Sequence, residues 1–368
     1  MRWLVAGVLS IHGLIHLLGF VKAFGFAGLP QLTPTISRGM GVAWLTAGAM
    51  VVASAVMVAI GSRHTWWVGA AALIVSQGVI MSAWRDAWAG TIANIVLLLI
   101  VAHSWFDLGP PSFQAQFDRD VTTGLARVID APLLTDADLA PLPEPVRRYL
   151  QLTGSVGQPR VQNYQLRVRG RIRSAPDSAW MPFDVEQHSF ADRPTRLFHM
   201  RARMYGAPVD VFHRLIDGHA TMQVKILSVL PMVDARGDEM DRGESVTLFN
   251  DMCLLAPGTL IDPAIEWQPV DAHAARARFT HGSHTIAATL FFADDGLLTN
   301  FESDDRSRSS ADGKTFTPLR FSTPVRGYRA FGPLRLASYG EARWRLPEGE
   351  FVYGEFHLQD ATMNLRQR

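Results

Sequence analysis

Charge is almost missing from the first 107 residues of this sequence. Of its 35 basic and 34 acidic residues, only Arg2, Lys22, Arg38, Arg63, Arg85, Asp86 and Asp107 fall there. That distribution excludes a single water-soluble globule. Cysteine is scarcer still: Cys253 stands alone, which excludes an internal disulfide framework and any cysteine-rich metal site. No Gly-rich run joins a strand to a helix in the manner of a nucleotide-binding loop. There is no His-Glu-x-x-His helix and no Gly-x-Ser-x-Gly elbow, so no motif implies a cofactor. The remaining residues carry 30 basic against 32 acidic side chains, which excludes a nucleic-acid partner recruited by bulk charge.

What the first 107 residues do contain is apolar runs of bilayer length, about 20 residues each. They cover Trp3–Val21, Met40–Ile60, Trp66–Trp84 and Thr91–Phe106. Tryptophans cluster near the ends of these runs, where an amphipathic indole prefers the headgroup layer. Gly41, Gly48, Gly69 and Gly78 are expected to let helices approach closely. The first run is longer than the apolar core of a secretory leader and lacks a small-x-small site, so it reads as an uncleaved helix. An even number of spans puts both ends of the chain on one side, with the lipid bilayer as the first partner. The loop charges nearly balance and do not choose that side.

Ionisable groups inside spans are functional suspects. His12 and His16 share a face of the first helix; Gln77, Asn94 and His103 lie on the third and fourth. A haem or metal held between His16 and His103 would need ligands at one depth, and these two lie at different depths. Hydrogen bonds between helices are the expected use.

From residue 108 the pattern changes. A surface helix over Phe113–Ile129, expected at the membrane interface, and a proline-marked linker lead to a short helix, Pro145–Leu152. Twofold alternation then takes over: Tyr164, Leu166, Val168 and Ile172 oppose Arg167, Arg169, Arg171 and Arg173, and a similar pattern recurs at Leu197–Met204. Asp217-Gly218, Asp295-Gly296 and Asp312-Gly313 read as hairpin turns. Glu244–Leu255 breaks the series as a helix lying on the sheet. The expected architecture is a four-helix transmembrane bundle (1–107), an interfacial helix and linker (108–144), and an α+β domain (145–368). This last domain is a curved antiparallel half-barrel sheet with two or three covering helices.

Three segments, His12–Gly25, Leu142–Leu150 and Pro231–Gly237, carry a resemblance to an uncharacterised bacterial membrane-protein family. That family joins an N-terminal four-helix block to a C-terminal domain of unknown function. The order of strands and helices in the β-rich part is similar to LolA/LolB-like lipoprotein carriers. The resemblance implies an apolar cavity for acyl chains and a domain outside the cytoplasm, anchored in the inner membrane by several spans.

A cavity would draw on flexible side chains, and Met181, Met200, Met204 and Met222 are the candidate ligand contacts. An acid–base alternative rests on Glu186, His188 and His199, although a cross-strand ion pair explains them as well. Asp234, Asp238 and Asp241 are candidate cation ligands, but their spacing does not match a calcium loop, and helix capping explains Asp241 or Glu244 better. Cys253 reads as a small buried hydrophobe. The expected function is a membrane-anchored module that binds a lipid, acyl chain or other apolar ligand. The alternatives are a membrane-bound enzyme acting on an apolar substrate, or an accessory subunit of a membrane-protein partner.

Overall fold

In the computed structural model, which describes residues 2–127, 130–310 and 312–367, the chain divides into two units, Met1–Ala115 and Gln116–Arg368. The first holds α1 (Arg2–Ile15), α2 (Leu17–Ala23), α3 (Arg38–Ile60), α4 (Thr65–Ser82), a single turn α5 (Trp84–Ala87) and α6 (Gly90–Leu108). By length and composition, four helical stretches among the described residues are apolar enough to cross a membrane, α1 and α2 together making the first and α6 opening the fourth. Their outward surface carries Trp3, Leu4, Ile11, Ile74 and Leu99, all exposed. Water would not tolerate so continuous an apolar surface; lipid does.

Inside the bundle, beside apolar clusters around Leu9 and Trp44, lies a polar network. His16 Nε2 lies 2.9 Å from Ser76 Oγ, which donates to Asn94 Oδ1 at 2.9 Å. His12 Nε2 reaches the same Asn94 oxygen at 3.1 Å, and Asn94 donates to Gln77 at 3.0 Å. These bonds tie α1, α4 and α6 together, as expected for polar groups that cannot reach water. His103 is exposed on α6. A Cβ on Gly48 would stand 2.7 Å from the Gly13 carbonyl oxygen, so α1 and α3 meet backbone to backbone. Gly41 and Gly69 also face close neighbours, but Gly78, expected to do the same, faces open space.

Next in chain order come α7 (Phe113–Leu125), α8 (Asp136–Leu139) and α9 (Glu144–Leu152). The helix expected to run to Ile129 ends at Leu125, short of Ala126 and Arg127, and residues 128 and 129 lie outside the described residues. Its apolar face is occupied within the second unit: Phe117 and Val121 are buried, and the Phe117 ring meets His199 and Phe212.

The β elements run β1 (Asn163–Ile172), β2 (Met181–Phe190), β3 (Thr195–Met204), β4 (Ala207–Ile216), β5 (His219–Ile226) and β6 (Leu230–Arg236). After α10 (Asp238–Leu255) come β7 (Ile265–Asp271), β8 (Ala274–His281), β9 (His284–Phe292), β10 (Leu298–Ser303), β11 (Ser307–Ser309) and β12 (Phe316–Pro318). β13 (Phe321–Ser322), β14 (Val325–Phe331), β15 (Leu334–Leu346) and β16 (Gly349–Met363) complete the chain. Among the described residues fourteen strands join one antiparallel sheet, ordered β6-β5-β4-β3-β2-β1-β16-β15-β13-β10-β9-β8-β7, with β14 paired to β15. β11 and β12 form a separate ribbon. The sheet curls into a half-barrel.

At the β4–β5 turn both Asp217 and Gly218 have positive φ, the type I′ geometry the Asp-Gly pair implies. At the other two pairs only Gly296 and Gly313 do, so those turns are of another kind. α10 lies against the inner face of the sheet. Its Phe249 stacks on Phe279 at 5.1 Å and meets Phe301 at 5.8 Å, and Tyr149 of α9 donates to the Cys253 carbonyl at 3.0 Å. The two helices fill the half of the interior beneath β8–β10. The other half is not filled.

Candidate functional site: a cavity inside the half-barrel

The unfilled half is a cavity of about 930 Å³ bounded by the inner faces of β1–β5, by α10, by the β11–β12 ribbon and by β15 and β16. Strand alternation decides what reaches it. On β3, Arg196, Phe198 and Met200 point inward; on the facing strands Val168, His213 and Met222 do so. On α10 the inward stripe is Met240, Glu244, Thr247, Asp251 and Leu254, steps of three and four that keep one helical face towards the space.

Most of the wall is apolar, from Val168 and Met200 to Phe351, Phe356 and Leu358. One patch is ionic. Arg196 Nε donates to Asp251 at 2.6 Å and Arg196 Nη1 to Glu244 at 3.1 Å, the three side chains being 6 %, 9 % and 2 % exposed. Gln187 donates to Asp251 at 2.8 Å, and His213 Nδ1 sits 3.1 Å from the second Glu244 oxygen. Burial alone would raise the Glu244 carboxyl, but His213 and Arg196 beside it bring it down to about 2. Burial works against the Arg196 charge as well, yet Asp251 and Glu244 hold the guanidinium above its ordinary value. The patch is a fully paired network that clamps α10 to β3 and β4.

Of the four candidate methionines, Met200 and Met222 line the cavity; Met181 and Met204 do not, and Met240 does. Glu186, His188 and His199 are not brought to it. Glu186 stands opposite His199 across β2–β3, on the outer face, where Gln165 donates to Glu186 at 2.8 Å and His188 stacks on Phe190. The residue between Glu186 and His188, Gln187, is the one that turns inward. An acid–base pair in the cavity therefore cannot come from these three.

Asp234, Asp238 and Asp241 are dispersed too. Asp234 pairs with Arg236 at 2.8 Å, Asp238 lies 3.5 Å from His284, and Asp241 accepts from the Ala220 amide at 2.6 Å. Among the described residues no group of three or more His, Cys, Asp or Glu side chains is placed to hold a metal ion. Glu244, read as a capping residue, lies two turns inside α10, which begins at Asp238. Cys253 is fully buried, and burial pushes its thiol well up, away from nucleophilic use.

The basic stripe of β1 is neutralised at two of its four positions. Arg169 pairs with Asp184 at 2.9 Å and Arg171 with Glu355 at 2.7 Å, while Arg173, past the end of β1, lines the cavity instead.

Residues 132–356 match the model of a family of unknown function, DUF6544, and the chain belongs to that family. No curated protein matches it. Among solved structures it is similar to a putative outer membrane lipoprotein-sorting protein domain from Vibrio parahaemolyticus. That likeness has 7 % identity and a TM-score of 0.34, covering 55 % of this chain and 85 % of that one. It is also similar to a DUF1329 family protein from Desulfovibrio piger, with 12 % identity and a TM-score of 0.35, covering 64 % of this chain and 95 % of that one.

Proposed function

We propose that the protein is a membrane-tethered binding module whose half-barrel holds a lipid, an acyl chain or another apolar molecule. The observation that carries this reading is the cavity itself. Its volume of about 930 Å³ falls at the upper end of small-molecule sites, and its wall is mostly apolar. A packed core leaves no space of that size, since protein interiors close to the density of organic crystals. No chemical step is part of the proposal. In this reading the helices anchor the module in the inner membrane, its source of apolar ligand, with the half-barrel on the extracytoplasmic side; the four apolar helical stretches support the anchoring.

Native mass spectrometry of the full chain released gently from membranes is the test. A bound species of lipid mass that persists on the half-barrel after detergent removal is expected. Protein that emerges empty under conditions that preserve its fold would contradict the reading. For the membrane side, a cysteine introduced at exposed Asp177 should react with an impermeant reagent on cells whose outer membrane is opened but whose inner membrane is intact. Labelling only after lysis would place the domain inside.

A further inference from the structure

The charges around the cavity are not evenly compensated. Its three wall carboxylates each have an arginine: Glu244 and Asp251 share Arg196, and Glu341 holds Arg343 at 2.6 Å. Three arginines in the same wall, Arg173, Arg306 and Arg308, have no carboxylate within 4.0 Å among the described residues. Arg306 lies close enough to Glu244 to act on its charge, but both oxygens of Glu244 are already engaged by Arg196 and His213.

These three guanidiniums are nevertheless fixed in place, and together. Arg173 and Arg308 both lie over the Phe351 ring, at 5.3 and 5.4 Å from its centre, and Arg308 donates to the carbonyl of Ser174, next to Arg173. Arg306 lies over Phe321 at 4.2 Å and donates to the Tyr353 hydroxyl at 3.0 Å, two residues along β16 from Phe351. Arg173 is further held by the carbonyls of Val352 and Pro176. Aromatic faces and carbonyls orient a guanidinium without cancelling its charge, and these bonds use a minority of its donors.

Resting on the binding reading above, we infer that the ligand is an anionic amphiphile: its chain fills the apolar cavity and its carboxylate or phosphate is taken by Arg173, Arg306 and Arg308. Three partly buried like charges gathered on one aromatic wall repel one another, and an anion placed among them relieves that repulsion while forming charge-assisted, forked hydrogen bonds. A wholly neutral ligand would leave this cost in place.

The test titrates the full chain with palmitic acid, methyl palmitate and a palmitoyl lysophosphatidic acid, read by native mass spectrometry. The wild type should bind the free acid about tenfold or more tightly than the ester, as loss of a charged hydrogen-bond partner implies. The R173Q/R306Q/R308Q variant should keep ester binding and lose that preference. The single variant R308Q, on the surface ribbon, should lose part of it and guards against a triple variant that fails to fold. Acid and ester bound alike by the wild type would overturn the headgroup inference and leave the cavity reading standing. Neither bound would overturn both. Between the two anions, tighter binding of the lysophosphatidic acid assigns the site to a phospholipid-type headgroup, and tighter binding of the acid to a free fatty acid.

Discussion

At the scale of the residue, the decisive side chain is Arg196. Strand alternation puts it on the inward face of β3, where a lone cation would be prohibitive without Asp251 and Glu244. Removing it strands two buried carboxylates, so Arg196→Met is expected to cost about 3–5 kcal/mol in unfolding measurements. Arg169→Ala, which breaks an ion pair exposed on both sides, is expected to cost about 0–1 kcal/mol. The same network sets an acid limit. Glu244 is held at about 2 in the folded chain against 4.5 for an ordinary glutamate. Its folded value is the lower one, so its contribution to stability is complete above about pH 4.5 and is lost as pH falls towards 2. A melting profile across that window should fall more steeply for the wild type than for Glu244→Gln, and equal slopes would remove Glu244 from the account. Part of this network was legible beforehand. The apolar alternation Phe198, Met200, Ala202 extends back one step to Arg196, and Met240, Glu244, Thr247 and Asp251 follow a helical stripe. Their meeting was not legible, because it depends on α10 crossing strands some fifty residues away in sequence.

At the scale of the element, the spans and the long central strands stood out in sequence because one physical period governs each of them. The apolar runs needed only length, and β1–β3 needed only alternation. The elements that escaped are those whose residues lack such a pattern. β6 is an edge strand with Pro231 in it and mostly exposed side chains, and β14 hangs on β15 outside the main path. α10 begins earlier than its apolar spacing suggests, because its first turn is Asp238, Glu239 and Asp241, good at a positive helix end and silent in hydropathy. Glycine roles were half legible: composition marks the residue, and only packing says which face it takes. Gly48→Leu should force α1 and α3 apart at a cost of about 1–3 kcal/mol, whereas Gly78→Leu, in open space, should be close to neutral in the same thermal-unfolding assay. Equal effects would mean that the backbone contact at Gly13 does not hold these helices together.

At the scale of the whole molecule, the two units divide the labour by solvent. The first turns apolar side chains outward and closes a polar network inside; the second buries its apolar surface in a curled sheet that its helices only half fill. The exposed apolar residues of the bundle are what lipid contact requires. The unfilled half of the sheet is the feature that calls for an occupant. A photoreactive alkane bearing a diazirine, applied to membranes containing the full chain and mapped by peptide mass spectrometry, tests this directly. Adducts at Phe198, Met200 and Met222, suppressed by excess fatty acid, are the expected result. Adducts confined to the outward residues of α1, α4 and α6, with the half-barrel unlabelled, would contradict it.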